Sequence, residues 1–227
     1  MNLREDVLLS KYTTLGTGGP AHRLGTPETF AELVEMLAWA RDEGLPVAAV
    51  GLGSNLLAAD EGYPGLVVKL GGELASARAE DGLLLAGGGA PLAVCLHRAR
   101  AAEIGGLEFI CAIPGTVGGG VKMNAGAYGG DIASVLVRAQ IAHAEGADWR
   151  SPTELGLEYR RSALEPGEIV AAAEFHGLPR SEAETARAGE LAPRGQPEPF
   201  APVRDLHERL PGAQEQIRGD AVAAPRA

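Results

Sequence analysis

The sequence predicts an α+β chain built from two α/β subdomains, and three observations carry that prediction. A β-α-β pattern occupies the first third. Glycine-rich loops fall at the ends of predicted strands. Two apolar runs beyond residue 130 have the length and composition of buried strands. The 227 residues suffice for one large domain or two small ones with a true core. Aromatic residues are only 4% of the chain, so Leu, Val, Ile and Ala must fill that core.

The elements follow in order. Thr26-Pro27 reads as a helix N-cap with proline at the first helical position. Phe30, Leu33, Val34 and Leu37 recur at helical spacing, and Gly44 stops the run. Pro46 to Val50 and Leu66 to Leu70 read as short buried strands, with GLGSNLL (Gly51 to Leu57) between them. Leu83 to Ala86 is a strand opening into Gly87-Gly88-Gly89, and Pro91 to Ala102 is a helix. Val135 to His143 and Glu168 to His176 are strands, with Tyr159 to Ser162 in the connection. These boundaries give subdomains over 1–70 and 71–180. From 181 to 227 the apolar residues thin to mostly Ala and prolines recur, so a linker and poorly ordered tail is expected, with one short helix near Leu206 to Ile217.

Charge and composition exclude several classes. A net charge of -10 argues against non-specific nucleic-acid binding but not against a small anionic ligand held by local N–H groups. Cys95 and Cys111 are too few for a disulfide framework or metal cluster, and His22, His97, His143, His176 and His207 show no metal-ligand spacing. MNLREDVLLSKYTT lacks the apolar core of a secretory leader, and no apolar stretch approaches ~20 residues, so a cytoplasmic protein without a membrane span is expected.

The most informative string is GGLEFICAIPGTVGGGVKMNAGAYGG, Gly105 to Gly130. A flexible linker would not carry Leu107, Phe109, Ile110 and Ile113. Glycines beside such anchors give a backbone surface that a phosphate or flat ring can approach closely. The plainer reading is a set of tight turns between strands. In Gly51 to Leu57, Gly51 and Gly53 permit a tight turn, Ser54 and Asn55 supply polar groups, and Leu56 and Leu57 return to the core. That suits a pyrophosphate on backbone N–H groups, with an ordinary β-turn as the alternative. It is neither a dinucleotide fingerprint, since Leu56 takes the place of the third glycine, nor a P-loop. YTTLGTGGPA (Tyr12 to Ala21) and Gly87 to Gly89 are weaker alone. Together the four loops fit one extended ligand. In YRRS (Tyr159 to Ser162), Arg160 and Arg161 on an extended segment would face opposite ways, one to a pocket and one to solvent. An arginine in a pocket binds a carboxylate or stabilises an enolate; two solvated arginines are the alternative.

Taken together, YTTLGTGGPA, GLGSNLL, AGGGAPL, GLEFICAIPGTVGGGVKMNAGAYGG and LGLEYRRS resemble the UDP-N-acetylenolpyruvoylglucosamine reductase family, also called UDP-N-acetylmuramate dehydrogenase or MurB, in order and approximate spacing. The match runs from about residue 8 to 197. The resemblance implies an FAD-binding domain of the vanillyl-alcohol-oxidase (PCMH) type, with two α/β subdomains and FAD between them. It implies an oxidoreductase of peptidoglycan precursor synthesis that uses NADPH and a UDP-sugar substrate, UDP-N-acetylglucosamine enolpyruvate. By the same resemblance Gly51, Gly53, Ser54, Asn55 and Leu56 hold the pyrophosphate. Ile113, Pro114, Gly115, Thr116, Gly118, Gly119, Asn124, Gly126 and Tyr128 line the flavin. Arg160 is the catalytic stabiliser, and Tyr159 with Arg160 contacts substrate. After RGQP the likeness stops: the family continues into a serine-bearing segment and a substrate domain with a catalytic glutamate, whereas no serine here follows Ser181. The chain as written is therefore expected to be truncated and inactive alone. A non-catalytic FAD-binding fragment, or another flavin oxidoreductase on the same fold, remains the alternative.

Overall fold

A crossover through one helix organises the first sheet. β1 (Leu3–Leu8) and β2 (Pro20–Gly25) pair antiparallel, helix α1 (Phe30–Asp42) crosses over, β3 (Val47–Ala49) returns, and β4 (Tyr63–Val68) inserts between β2 and β3, parallel to both. This is a computed structural model, and it describes residues 1–179; the tail and its expected helix lie outside the described residues.

Helix α1 forms where the periodicity places it, but Thr26 is not its cap. The Thr29 side chain accepts from the Glu32 N–H, and the Glu32 carboxylate accepts from the Thr29 N–H, a capping box. Two donors satisfied at once outweigh the Thr26-Pro27 signal, and Pro27 stays ahead of the helix. Gly44 ends it at φ +67°, donating to the Arg41 carbonyl while Leu45 reaches Ala40. The buried face is Leu33, Met36, Leu37 and Ala40. It packs on Leu66 and Val68 of β4 and on Ala142, Ile169 and Ala171 from the second sheet. On the other face of the first sheet Leu24, Val50 and Val67 pack with Leu9 and Ala21. Alternate residues of β4 thus serve two cores.

The second sheet is antiparallel and built mostly from later sequence. Its strands are β5 (Ala77–Glu80) and β6 (Leu83–Gly87), then β10 (Leu136–His143), β11 (Gly146–Arg150) and β12 (Ile169–His176), in the order β11-β10-β12-β6-β5. Between β6 and β10 lie α2 (Leu92–Ala101), β7 (Ile104–Gly105), α3 (Val117–Lys122), β8 (Gly126–Ala127) and β9 (Gly130–Asp131). β8 pairs with β9, and β7 pairs with β13 (Leu178–Pro179). One face of the sheet packs against α2 and α3, through Leu84, Ala139, Ile141, Ala173 and Phe175 against Leu92, Leu96, Val117 and Val121. Leu107, Phe109 and Ile110, read as anchors of the glycine-rich string, are buried in the same core.

On the other face Arg138 grips Glu174 through two hydrogen bonds, 2.7 and 2.8 Å, and lies 4.3 Å over the Trp149 ring. Three strands are tied by that one guanidinium. Among the described residues no helix is long and apolar enough to cross a membrane.

Candidate functional site

The loop Gly51 to Leu57 leaves β3 under tight constraint. Gly53 has φ +71°, and a Cβ there would collide with the Tyr12 carbonyl. A Cβ on Gly51 would stand 2.6 Å from Thr116 Oγ1. Ser54 Oγ donates to the Pro114 carbonyl at 2.7 Å, and Lys69 Nζ donates to the Gly51 carbonyl at 3.0 Å. The loop is therefore held from three sides. Leu56 packs on the Leu24 cluster, but Leu57 does not return to the core: it is 71% exposed. Among the described residues none of the N–H groups from Gly51 to Asn55 donates to a protein acceptor. Five successive donors without partners form a surface that favours an anion.

The glycine-rich string supplies the facing wall. Thr116, buried, stands at the N-cap position of α3, where its side chain makes no capping hydrogen bond. Its glycines divide into two kinds. A Cβ on Gly118 would lie 3.0 Å from the Gly88 carbonyl, so Gly118 serves packing. A Cβ on Gly115 would meet nothing within 4 Å, and one on Gly119 only Thr116 Oγ1 at 3.8 Å. Those two keep space open.

That space is a cleft in two lobes. One, about 390 Å³, is lined by Gly51 to Leu56, Ile113 to Thr116, Gly119 and Arg160. The other, about 280 Å³, is lined by Val47, Leu70, Ile169 and Val170, with Gly88, Gly89 and Gly118 and the charged Lys69, Glu165 and Glu168. The lobes share Ala49, Val50, Gly51, Thr116, Gly119 and Lys122. The fourth glycine-rich loop, Tyr12 to Ala21, lines neither lobe. It backs the Gly51 to Leu57 loop, with the Thr14 N–H bonded to the Gly53 carbonyl. So three of the four loops meet at the cleft and one supports it.

Asn124, Gly126 and Tyr128 sit in an adjoining recess of about 400 Å³ with Tyr159, Asp131 and Arg160. Arg160 borders both the recess and the first lobe. The Asn124 side chain is fully used inside the protein: it accepts from the Ala133 N–H and donates to the Glu158 carbonyl and Asp131. It holds the recess and the turn that carries Arg160. That turn also corrects the extended reading of YRRS. Glu158 and Arg161 bridge across it, and Arg160 takes φ +57°, so the two arginines separate through a turn and not through strand alternation. Arg161 pairs loosely with Glu158 at 3.9 Å in solvent. Arg160 stands 5.9 Å from the Tyr159 ring, itself 89% exposed. Asn124, Tyr128 and Arg160 are three of the six non-glycine residues with positive φ among the described residues, and all three ring this recess. Such strain persists only where surrounding structure enforces it.

Lys69 and Lys122 were not anticipated. Lys69 lines the second lobe and Lys122 lines both. A signal for Lys122 existed: apart from Glu108 it is the one charge in Gly105 to Gly130. Cys95 is buried in α2, which pushes its thiol up to about 12, and Cys111 is exposed; neither is in a disulfide.

A cleft with orphan N–H groups and open glycines, set between a mixed sheet and an antiparallel one, is that of a PCMH-type FAD-binding domain. The FAD binding domain family matches residues 21–149. A UDP-N-acetylenolpyruvoylglucosamine reductase of Synechococcus sp. (strain WH7803) is 40% identical over 207 residues, covering 87% of this chain and 67% of the relative. A second, from Symbiobacterium thermophilum, is 42% identical over 165 residues, covering 72% of this chain and 54% of the relative. The crystal structure of the reductase (MurB) from Thermus caldophilus aligns with a TM-score of 0.73 and 39% identity, covering 87% of this chain and 72% of that one. The chain belongs to the UDP-N-acetylenolpyruvoylglucosamine reductase family and spans between about half and two thirds of the length of those two relatives.

Proposed function

We propose that this chain carries the flavin-binding part of a reductase that converts UDP-N-acetylglucosamine enolpyruvate to UDP-N-acetylmuramate with NADPH, in peptidoglycan precursor synthesis. The observation that supports it most is the two-lobed cleft, lined both by a loop whose five successive N–H groups have no protein acceptor and by glycines that leave room for a ligand. The donor set fits FAD: neutral dipoles for the diphosphate, and apolar walls for the flat rings. FAD bound here supplies hydride transfer from NADPH to the enolpyruvyl double bond, one carbon receiving the hydride and its neighbour a proton.

The chain's own groups then have distinct tasks. Gly51, Gly53, Ser54, Asn55 and Leu56 present the N–H groups. Ile113, Pro114, Gly115, Thr116, Gly118 and Gly119 form the opposite wall, and Asn124, Gly126 and Tyr128 shape the recess beyond. Arg160 aims a planar, permanently charged fork at negative charge developing on the substrate carboxylate and enolate. Its strained backbone keeps it between recess and lobe, where substrate and ring would meet. Tyr159 contributes an exposed ring to the substrate side. We assign 1–70 and 71–180 as the two subdomains that flank the cofactor.

A second reading is a flavin-binding polypeptide that does not turn over; among the described residues no serine lines the recess. One experiment separates the two. The purified chain is titrated with FAD, then mixed anaerobically with NADPH and with the enolpyruvyl sugar in a stopped-flow instrument. Flavin binding followed by bleaching and substrate-dependent recovery supports the reductase. Binding and bleaching without recovery supports the second reading. A folded chain that takes up no FAD sinks both.

A further inference from the structure

Lys122 is the last residue of α3, an exposed residue whose ammonium donates one hydrogen bond, 2.9 Å, to the buried Leu164 carbonyl. An ammonium has three donors, so two are left over. The side chain lines both lobes of the cleft. Of the six residues common to the lobes, Lys122 alone is charged; the others are Ala49, Val50, Gly51, Thr116 and Gly119. These shared residues mark the waist of the cleft, beside the loop whose N–H groups lack partners. A dinucleotide in extended form has a ring system at each end and its diphosphate in the middle. Two lobes that share donor-bearing residues between them match that outline. The loop dipoles alone leave the diphosphate's net negative charge uncompensated, and a charged donor at the cleft adds the stronger kind of hydrogen bond.

We propose that Lys122 binds a phosphate of the FAD diphosphate at the waist of the cleft, an assignment that rests on the flavin reading above. Lys69 acts one step behind it: its bond to the Gly51 carbonyl fixes the orientation of the Gly51–Leu52 peptide, and with it the direction of the Leu52 N–H.

The test compares FAD with riboflavin, which has the same ring and no phosphate. Both are titrated by fluorescence into the parent chain and into Lys122→Met. The variant is expected to bind FAD about tenfold more weakly, the usual scale for losing one charge-assisted bond, and riboflavin within about twofold of the parent. Lys122→Arg, which keeps charge and donors, is expected to restore most of the FAD affinity. Equal losses for FAD and riboflavin would overturn the proposal, because Lys122 would then serve the ring or the fold. So would unchanged FAD affinity. Should circular dichroism show Lys122→Met unfolded, Lys122→Gln keeps a donor for Leu164 without the charge, and the same split between ligands is required of it. A parent chain that binds neither ligand overturns the flavin reading itself, an outcome distinct from either failure of Lys122.

Discussion

Gly119→Ala should make the free protein more stable and the cofactor complex weaker. The residue lies inside α3, where replacing Gly by Ala reduces the entropy of the unfolded chain and favours the helix by about 0.5–1 kcal/mol. The added Cβ meets only Thr116 Oγ1 at 3.8 Å, ordinary van der Waals contact, so no packing cost offsets the gain. For a chain of this size that corresponds to a Tm higher by about 1–4 °C. The same methyl group enters the waist of the cleft. Crowding a well-fitted site by one carbon costs about 1–3 kcal/mol, so FAD affinity should fall by about fivefold to 150-fold. Gly118→Ala, one residue earlier, is the control: its Cβ lies 3.0 Å from the Gly88 carbonyl, and stability should fall. Differential scanning calorimetry without flavin and fluorescence titration with FAD read the two effects separately. A Gly119→Ala chain with raised Tm and unchanged FAD affinity would mean the cofactor lies elsewhere. A lowered Tm would mean that the space beside Gly119 is filled in the free protein.

Arg160→Lys should leave FAD affinity within about twofold but slow substrate-dependent flavin recovery by about 10²–10³, because a point charge cannot reproduce the fork; an unchanged rate would remove Arg160 from the chemistry. Arg138→Ala, which strips a bidentate partner from the buried Glu174 carboxylate, should lower the midpoint of urea unfolding, and an unchanged midpoint would show the clamp to be idle. Glu168 is pushed up by burial but pulled further down by hydrogen bonds from Arg150 and the Glu165 N–H, so its carboxyl titrates below the usual carboxylate range. Its contribution is therefore present above the unfolded carboxylate pKa of about 4.3 and lost as pH falls through the lower folded value. Glu168→Gln should be less stable than the parent at pH 7, with a gap that narrows toward pH 3; a constant gap would refute the linkage. Of the two cysteines only Cys111 should react with a thiol reagent in the folded chain at pH 8, since Cys95 is buried with its thiol near 12, and two fast equivalents would contradict the α2 packing.

What the sequence made legible followed from hydrophobic burial. Strands β4, β6, β10 and β12 and helices α1 and α2 emerged from apolar runs and periodicity, because each buries at least one face in a core. β1, β5 and β11 did not emerge. They are edge strands rich in exposed or half-exposed charged and small residues such as Arg4, Glu5, Arg78, Glu80 and Asp148, and only pairing with a neighbour makes them strands. The site divides in the same way. The glycine strings announced a close backbone approach but not to what. Only built coordinates separate Gly53 and Gly118, whose missing side chains make room for protein, from Gly115 and Gly119, whose missing side chains make room for something else. The same holds for charge. A chain of net charge -10 gathers Lys69, Lys122 and Arg160 around one cleft from positions 53 and 38 residues apart, a convergence that no local pattern encodes. Asn124 shows why: read as a cofactor contact, it spends all its polar atoms on Ala133, Glu158 and Asp131, so its link to the cleft runs through the Arg160 turn it fixes. A motif residue can therefore be indispensable to a site that its side chain does not address.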